Sequence, residues 1–228
     1  MISHDLGLIV PEIPKSGSSA MYAWLLGKDR ALERKDHVPL IEYRQHIKQG
    51  IDYTARFLGI NPYTRAVSAF EYGKRHDNHS KVNGVALLDD DVTFQMWYNA
   101  IQYQDLFKNH GTEGMKFASE EEDLTGCFRT QTSFINYLDD SRSFHAERCD
   151  DLLKNHEFLR LEEWGKDKSV VNSHKLTNEG RRYELKNWNL YYTDMEIVKQ
   201  IEILYKDDFI LWGYDPNINP YTEEPWNL

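Results

Sequence analysis

Cysteine is nearly absent: the 228 residues hold two, Cys127 and Cys149. Two thiols make no disulfide framework and their spacing is no metal signature, so both read as ordinary thiols of a reducing compartment. Long apolar runs are missing too, and nothing approaches the roughly 20 residues of a membrane span. The opening Met1-Ile2-Ser3-His4-Asp5 lacks the basic stretch of a secretory leader, and Leu6–Val10 is too short for its apolar segment. The expectation is a soluble, cytoplasmic chain without a membrane span. Positive charge is in short supply: 27 Lys+Arg against 37 Asp+Glu give a net charge of −10. Such a chain repels phosphate unless its basic residues cluster, which argues against a nucleic-acid partner. Internal repeats and low-complexity tracts are absent.

Aromatic residues, by contrast, are plentiful. With 14 Tyr, 10 Phe and 6 Trp and 40% hydrophobic residues, the chain can build a core, which excludes disorder. The length suits one domain, with room for a second small lobe.

Leu6–Val10 reads as a short buried strand. A turn of small residues, Pro11 to Ser19, follows, and Ala20–Leu26 then reads as a helix closed by Gly27. The pattern repeats. Tyr53–Ile60 reads as a strand, Asn61-Pro62 stops it, and Thr64–Lys74 carries apolar residues at helical spacing. Residues 28–50 are charged and helical or looped, and residues 76–91 are a polar connection. Further helices are expected over 92–107, 131–138 and 146–154, and a strand at Phe158–Leu161. The last helix has Thr193 and Glu196 as a capping-box pair, with Met195, Val198, Ile201 and Tyr205 on one face. Gly213 and Pro216 end regular structure, and the tail is expected to be irregular. Strands separated by helices predict an α/β fold with a central, mainly parallel sheet flanked by helices. In such sheets ligands bind at the carboxyl ends of the strands, where both turns fall.

The first turn, Pro14-Lys15-Ser16-Gly17-Ser18-Ser19, has the chemistry of an anion cradle. Gly17 permits close backbone approach, and Ser16, Ser18 and Ser19 offer hydroxyls and amides. The helix start adds unpaired N–H groups and Lys15 a full charge. The same serines also suit an ordinary helix cap. G-x-x-x-x-G-K-[ST] is missing, which disfavours a nucleoside-triphosphate kinase. The second turn, Asn61 to Phe70, sets Arg65 and Ser68 one helical turn apart, a fork and a hydroxyl suited to phosphate.

Taken together, the two turns resemble the donor-binding motifs of sulfotransferases that use 3′-phosphoadenosine 5′-phosphosulfate (PAPS). Ile13-Pro14-Lys15-Ser16-Gly17-Ser18-Ser19 resembles their 5′-phosphosulfate loop, P-K-[TS]-[GA]-[ST]-[ST]. Asn61-Pro62-Tyr63-Thr64-Arg65-Ala66-Val67-Ser68-Ala69-Phe70 resembles their 3′-phosphate motif, R-[ND]-P-x-x-R-x-x-S-x-[YF]. Leu159–Trp164, Tyr191–Asp194 and Ile203–Tyr214 resemble the strand, helix and Y-x-x-D-F…G-Y tail of the carbohydrate (membrane-class) members. The resemblance implies a three-layer P-loop-like fold and sulfonate transfer from PAPS, without a metal, to a hydroxyl or amine acceptor, a carbohydrate in particular. Ile60 departs from the pattern, because the family usually has Arg there, although heparan N-sulfotransferases similarly read I-N-P. The missing charge then falls to Arg65, Ser68 or a late basic loop, with Lys175, Arg181 and Arg182 as candidates.

In this family Lys15 would stabilise charge on the departing bridging oxygen, and the amides of Ser16 to Ser19 would hold the 5′-phosphosulfate. The base comes from between the two motifs, where Glu33, His37, Glu42 and His46 stand. Lys35 to Tyr43 resembles the H-V-x-x-[LI]-[DE]-[FY] stretch of uronyl 2-O-sulfotransferases, which puts His37 first. His76-Asp77-Asn78-His79 lacks the context of a metal site. Trp97, Tyr98, Tyr103 and Phe107 suit core packing better than an acceptor cleft. The other class of function to weigh is a nucleotide-binding protein that keeps the scaffold without catalysis.

Overall fold

The computed structural model describes residues 1–29, 32–33, 38, 40–74, 81–82, 85–86, 93–96, 98, 130–135, 155–164 and 187–228. The chain divides into two compact units, Met1–Ile60 with Thr130–Leu176, and Asn61–Arg129 with Thr177–Leu228.

The first unit is built on a four-stranded sheet. Strands β1 (Ile2–Ser3), β2 (Leu8–Ile9), β3 (Thr54–Gly59) and β6 (His156–Arg160) lie in the order β1-β2-β3-β6. β2 pairs with β3 and β3 with β6 in parallel, and β1 is antiparallel at the edge. The expected strand at Leu6–Val10 is shortened from its start. Gly7 has φ +58, and a Cβ there would stand 2.6 Å from the Asp52 carbonyl oxygen, so the chain turns tightly before β2. The Gly7 carbonyl accepts from Thr54 N–H at 2.8 Å, which registers that turn on β3. The β1 strand escaped the sequence reading because two residues carry no period.

Helix α1 (Ser18–Leu26) covers this sheet. Met21 and Leu25, four residues apart, are buried with Leu8, Val10, Leu58, Ile60 and Leu161. Each such side chain removed from water contributes about 1.5–3 kcal/mol. Trp24 meets Trp164 edge to face at 6.1 Å, and Lys28 Nζ lies 4.1 Å over the Trp24 ring. Leu161–Trp164 forms the short helix α3 directly after β6, where the sequence placed Leu161 in the strand.

The second unit is helical and aromatic. Helix α2 (Pro62–Lys74) packs with α4 (Met195–Leu204), and α5 (Lys206–Trp212) follows. β4 (Lys81–Val82) and β5 (Val85–Ala86) pair as a small antiparallel hairpin. Asn61 caps α2, its Oδ1 accepting from Tyr63 N–H at 3.0 Å, and Pro62 takes the first helical position, where no N–H is needed. The core gathers Tyr63, Phe70, Phe94, Tyr98, Tyr192 and Phe209. Tyr192 donates to the Tyr63 carbonyl at 2.6 Å, and Tyr63 donates to the Pro216 carbonyl at 2.8 Å. Tyr98 is core, as expected; Trp97, Tyr103 and Phe107 lie outside the described residues, as do positions 76–79.

Two expectations for this unit change. The cap of α4 is Asp194, whose Oδ1 accepts from both Glu196 and Ile197 N–H, rather than Thr193. The carboxylate one residue later reaches those two amides, and Thr193 stays exposed. The tail is also ordered. β7 (Ile218–Asn219) pairs with β8 (Glu224–Pro225), and Trp226 returns to meet Tyr63 edge to face, ring centroids 5.0 Å apart. An aromatic anchor so distant in sequence leaves no local signal. The expected alternation of strands and helices around a mostly parallel sheet holds, in a mixed α/β protein.

Candidate functional site

Because β2 and β3 run parallel, the loop after β2 and the residue after β3 emerge at one edge of the first unit's sheet. The loop is Val10 to Gly17, and it is largely buried. Two prolines flank Glu12-Ile13 and restrict its backbone. The Ser16 hydroxyl and amide both donate to the Ile13 carbonyl, at 2.8 and 3.3 Å, closing the turn on itself.

Lys15 stands at φ +65 and is one of two non-glycine residues in the left-handed region among the described residues. A β-carbon there costs free energy, and such positions concentrate where the surrounding structure over-determines the backbone. Gly17 follows at φ +88 and caps α1 without a side-chain hydrogen bond. Any Cβ on it would meet Leu161 Cδ1 at 2.7 Å. Glycine is therefore required twice over, by conformation and by contact. Ala20 and Met21 N–H both donate to the Gly17 carbonyl, at 3.0 and 3.1 Å. The earlier amides belong to the helix start, the end at which the peptide dipoles favour an anion. Ser16 and Ser18 are buried, Ser19 is exposed, and Lys15 is half-buried. This loop, as described within the first unit, is a turn closed on itself by Ser16 that ends at a helix start.

At β3 the departure from the motif gains a physical reason. Ile60 is 4% exposed and packs in the core with Val10, Leu58 and Leu161. Its side chain belongs to the interior of the sheet, where a guanidinium would be buried among aliphatic groups. Arg65 and Ser68 stand on α2 in the second unit. Arg65 is only 1% exposed and Ser68 is half-buried. Arg65 N–H donates to the Asn61 carbonyl at 2.9 Å, so this residue lies in the first turns of the helix.

His37, Lys175, Arg181 and Arg182 lie outside the described residues. Of the other base candidates, Glu33 is tied to β1 by backbone bonds with Ile2, and its carboxylate faces His4 Nε2 at 3.3 Å. Glu42 and His46 lie on a 3₁₀ helix, Leu40–His46, with Glu42 exposed and His46 half-buried.

Glu12 and Gln131 are among the buried polar residues that the sequence did not single out. Glu12 is fully buried within the apolar stretch Val10 to Ile13. A lone carboxylate in such a stretch, at the end of a strand, is the signal that could have found it. Gln131 is fully buried too, and its carboxamide bonds both backbone groups of Ile60. No local pattern announces that contact. Among the described residues, no group of three or more His, Cys, Asp or Glu is placed to hold a metal ion, and no helix is long and apolar enough to cross a membrane. No family model matches this chain, and no curated protein or solved structure matches it.

Proposed function

We propose that this chain is a PAPS-dependent sulfotransferase, built on a three-layer P-loop-like scaffold, that sulfonates a hydroxyl or amine of a carbohydrate acceptor. One observation carries the reading: the turn Pro14 to Ser19, at the carboxyl edge of parallel strands, combines a strained Lys15, a glycine-only cap and a helix start. The donor supplies an activated sulfonate, whose transfer leaves negative charge on the oxygen that bridged sulfur and phosphorus.

The chain's own residues then divide the work. Lys15 places an ammonium where that charge develops, and a fixed donor of this kind contributes about 10²- to 10³-fold in rate. The amides of Gly17 to Ser19 hold the 5′ end at the helix start, in a turn that the Ser16 amide and hydroxyl close on Ile13. Arg65, a cation withdrawn from water, and Ser68 hold the 3′-phosphate. His37 takes the acceptor's proton, and Lys175, Arg181 and Arg182 supply the positive charge that Ile60 does not. The reaction needs no metal, and the acceptor is a glycan rather than a nucleic acid.

The test is Lys15→Ala, assayed with a labelled sulfonate donor against a panel of hydroxyl- and amine-bearing glycans. Transfer is expected to fall at least about 10²-fold, with an unchanged circular dichroism spectrum and melting point. A rate like that of the parent chain overturns the reading. The buried Ile60 favours a second reading, a nucleotide-binding protein that does not catalyse transfer. Calorimetry showing that adenosine 3′,5′-bisphosphate binds, with no transfer to any acceptor, selects it.

A further inference from the structure

The register of the first unit's sheet brings a hydroxyl, an imidazole and a carboxylate into line. Ser3 stands opposite Leu8 and Leu8 opposite Thr54, so His4 and Tyr53 fall side by side, one residue beyond that row. This is the amino edge of β2 and β3, whereas the Pro14 to Ser19 turn follows the carboxyl end of β2. The Tyr53 hydroxyl lies 2.6 Å from His4 Nδ1, and His4 Nε2 lies 3.3 Å from Glu33 Oε1. Glu33 is held beside them because it bridges Ile2 of β1, each residue's amide donating to the other's carbonyl.

The chemistry of the three groups settles where their protons stand. A carboxylate only accepts, so Nε2 carries the imidazole hydrogen and Nδ1 is left to accept from the Tyr53 hydroxyl. The Tyr53 oxygen in turn accepts the Lys48 N–H at 3.2 Å, a donor that steadies a phenolate as its proton leaves. An attacking oxygen, a base within hydrogen-bond reach and a third group that orients the base are the parts of an activated nucleophile. Backbone bonds hold the parts in place. The His4 carbonyl accepts Gly7 N–H at 3.3 Å, and the Gly7 carbonyl accepts Thr54 N–H at 2.8 Å. The His4 and Tyr53 rings meet edge to face at 6.1 Å. The His4 side chain is 10% exposed and Tyr53 is half-buried, so the base is withdrawn from water while the tyrosine is partly open to it.

The surrounding charge narrows the substrate. Asp5 and Asp52, next in the chain to His4 and Tyr53, are exposed, and with Glu33 they set three carboxylates against Lys48. That balance repels an anionic phosphoryl or sulfonyl donor and leaves a neutral ester unopposed. We propose that Tyr53, His4 and Glu33 form a second chemical site, at which Tyr53 takes an acyl group from a neutral activated ester. The Tyr53 oxygen bonds to the carbonyl carbon as the ester C–O bond breaks. His4 Nδ1 takes the phenol proton and passes it to the departing oxygen, while Glu33 stabilises the imidazolium. The products are O-acyl Tyr53 and the free alcohol. The site is independent of the sulfonate-donor reading and draws on the first unit alone.

The test incubates the full chain with p-nitrophenyl acetate and follows acetylation of each tyrosine by peptide mass spectrometry. Tyr53 is expected to react about 10²-fold faster than tyrosines without a positioned base. A Tyr53 rate no greater than theirs overturns the proposal. His4→Asn keeps an acceptor for the Tyr53 hydroxyl but cannot take its proton, and should lower the Tyr53 rate about 10²-fold. Glu33→Gln keeps a hydrogen-bonding group without the charge and should lower it less. An unchanged rate in His4→Asn overturns the relay. If that variant does not fold, the pH profile of the parent chain decides. With an imidazole as base, Tyr53 acetylation rises with pH and levels off well below the ordinary phenol value of about 10, whereas an unaided phenol keeps climbing towards it. A Tyr53 profile that climbs in step with the other tyrosines overturns the proposal.

Discussion

Replacing Gly17 by alanine tests the architecture of the candidate loop directly. At φ +88 an L-residue pays roughly 1–2 kcal/mol for the left-handed backbone. The new Cβ also lands 2.7 Å from Leu161 Cδ1, with Cδ2 at 3.2 Å and Cγ at 3.5 Å. Rotating one methyl away brings the other in, so Leu161 must shift within its cluster, an overpacking that costs about 1–3 kcal/mol. The expected loss is about 2–5 kcal/mol, enough to move a urea midpoint clearly in a domain of ordinary stability. Leu161→Ala by itself should cost about 2–3 kcal/mol through lost burial. In that background Gly17→Ala meets no methyl and pays only the backbone part. The two changes should therefore couple by about 1–3 kcal/mol, in the direction of relief. Urea unfolding followed by tryptophan emission reads this out, because Trp24 and Trp164 pack against each other in the same unit. Additive losses would refute the claim that Leu161 abuts Gly17. A Gly17→Ala variant within about 0.5 kcal/mol of the parent would refute the backbone argument as well.

Two further predictions concern the second unit. Asn61→Ala should cost about 1–2 kcal/mol by removing the α2 cap, read as a lower urea midpoint with an unchanged slope; an effect below a few tenths refutes the cap. Burial raises the pKa of Tyr63, Tyr98 and Tyr192 above the ordinary value of 10.0, and Glu202 and Asp215 push Tyr63 further. Below pH 10 both states keep these protons and no stability is lost. Above it the unfolded chain releases them while the folded protein does not, so stability should fall by about 1.4 kcal/mol per pH unit for each, about 4 for the three. Tyrosinate absorbance on an alkaline titration should show them ionising only as the fold is lost. Ordinary ionisation of all 14 tyrosines in an intact protein would refute their burial.

The candidate loop was legible because its chemistry is local. A proline, a lysine, a glycine and three serines between an apolar run and a helix specify a turn and a helix start wherever they occur. The same holds for α2, whose stop and first position are written as Asn61-Pro62. The cap of α4 was misplaced by one residue because Thr193 and Asp194 are both good caps, and only reach to the two amides separates them.

The linear pattern by itself determined the alternation of strand and helix, the buried aromatic content and the two turns that follow β2 and β3, since each depends on residues within about one turn of one another. Tertiary structure alone decided that Lys15 takes a left-handed backbone, that Leu161 closes over Gly17, and that Ile60 faces the core. It also decided that Gln131, 71 positions away, completes the ladder that β6 leaves unfinished. Those outcomes depend on which buried groups find partners across the chain, and hydrogen-bond demand in a dry interior has no signature along the sequence.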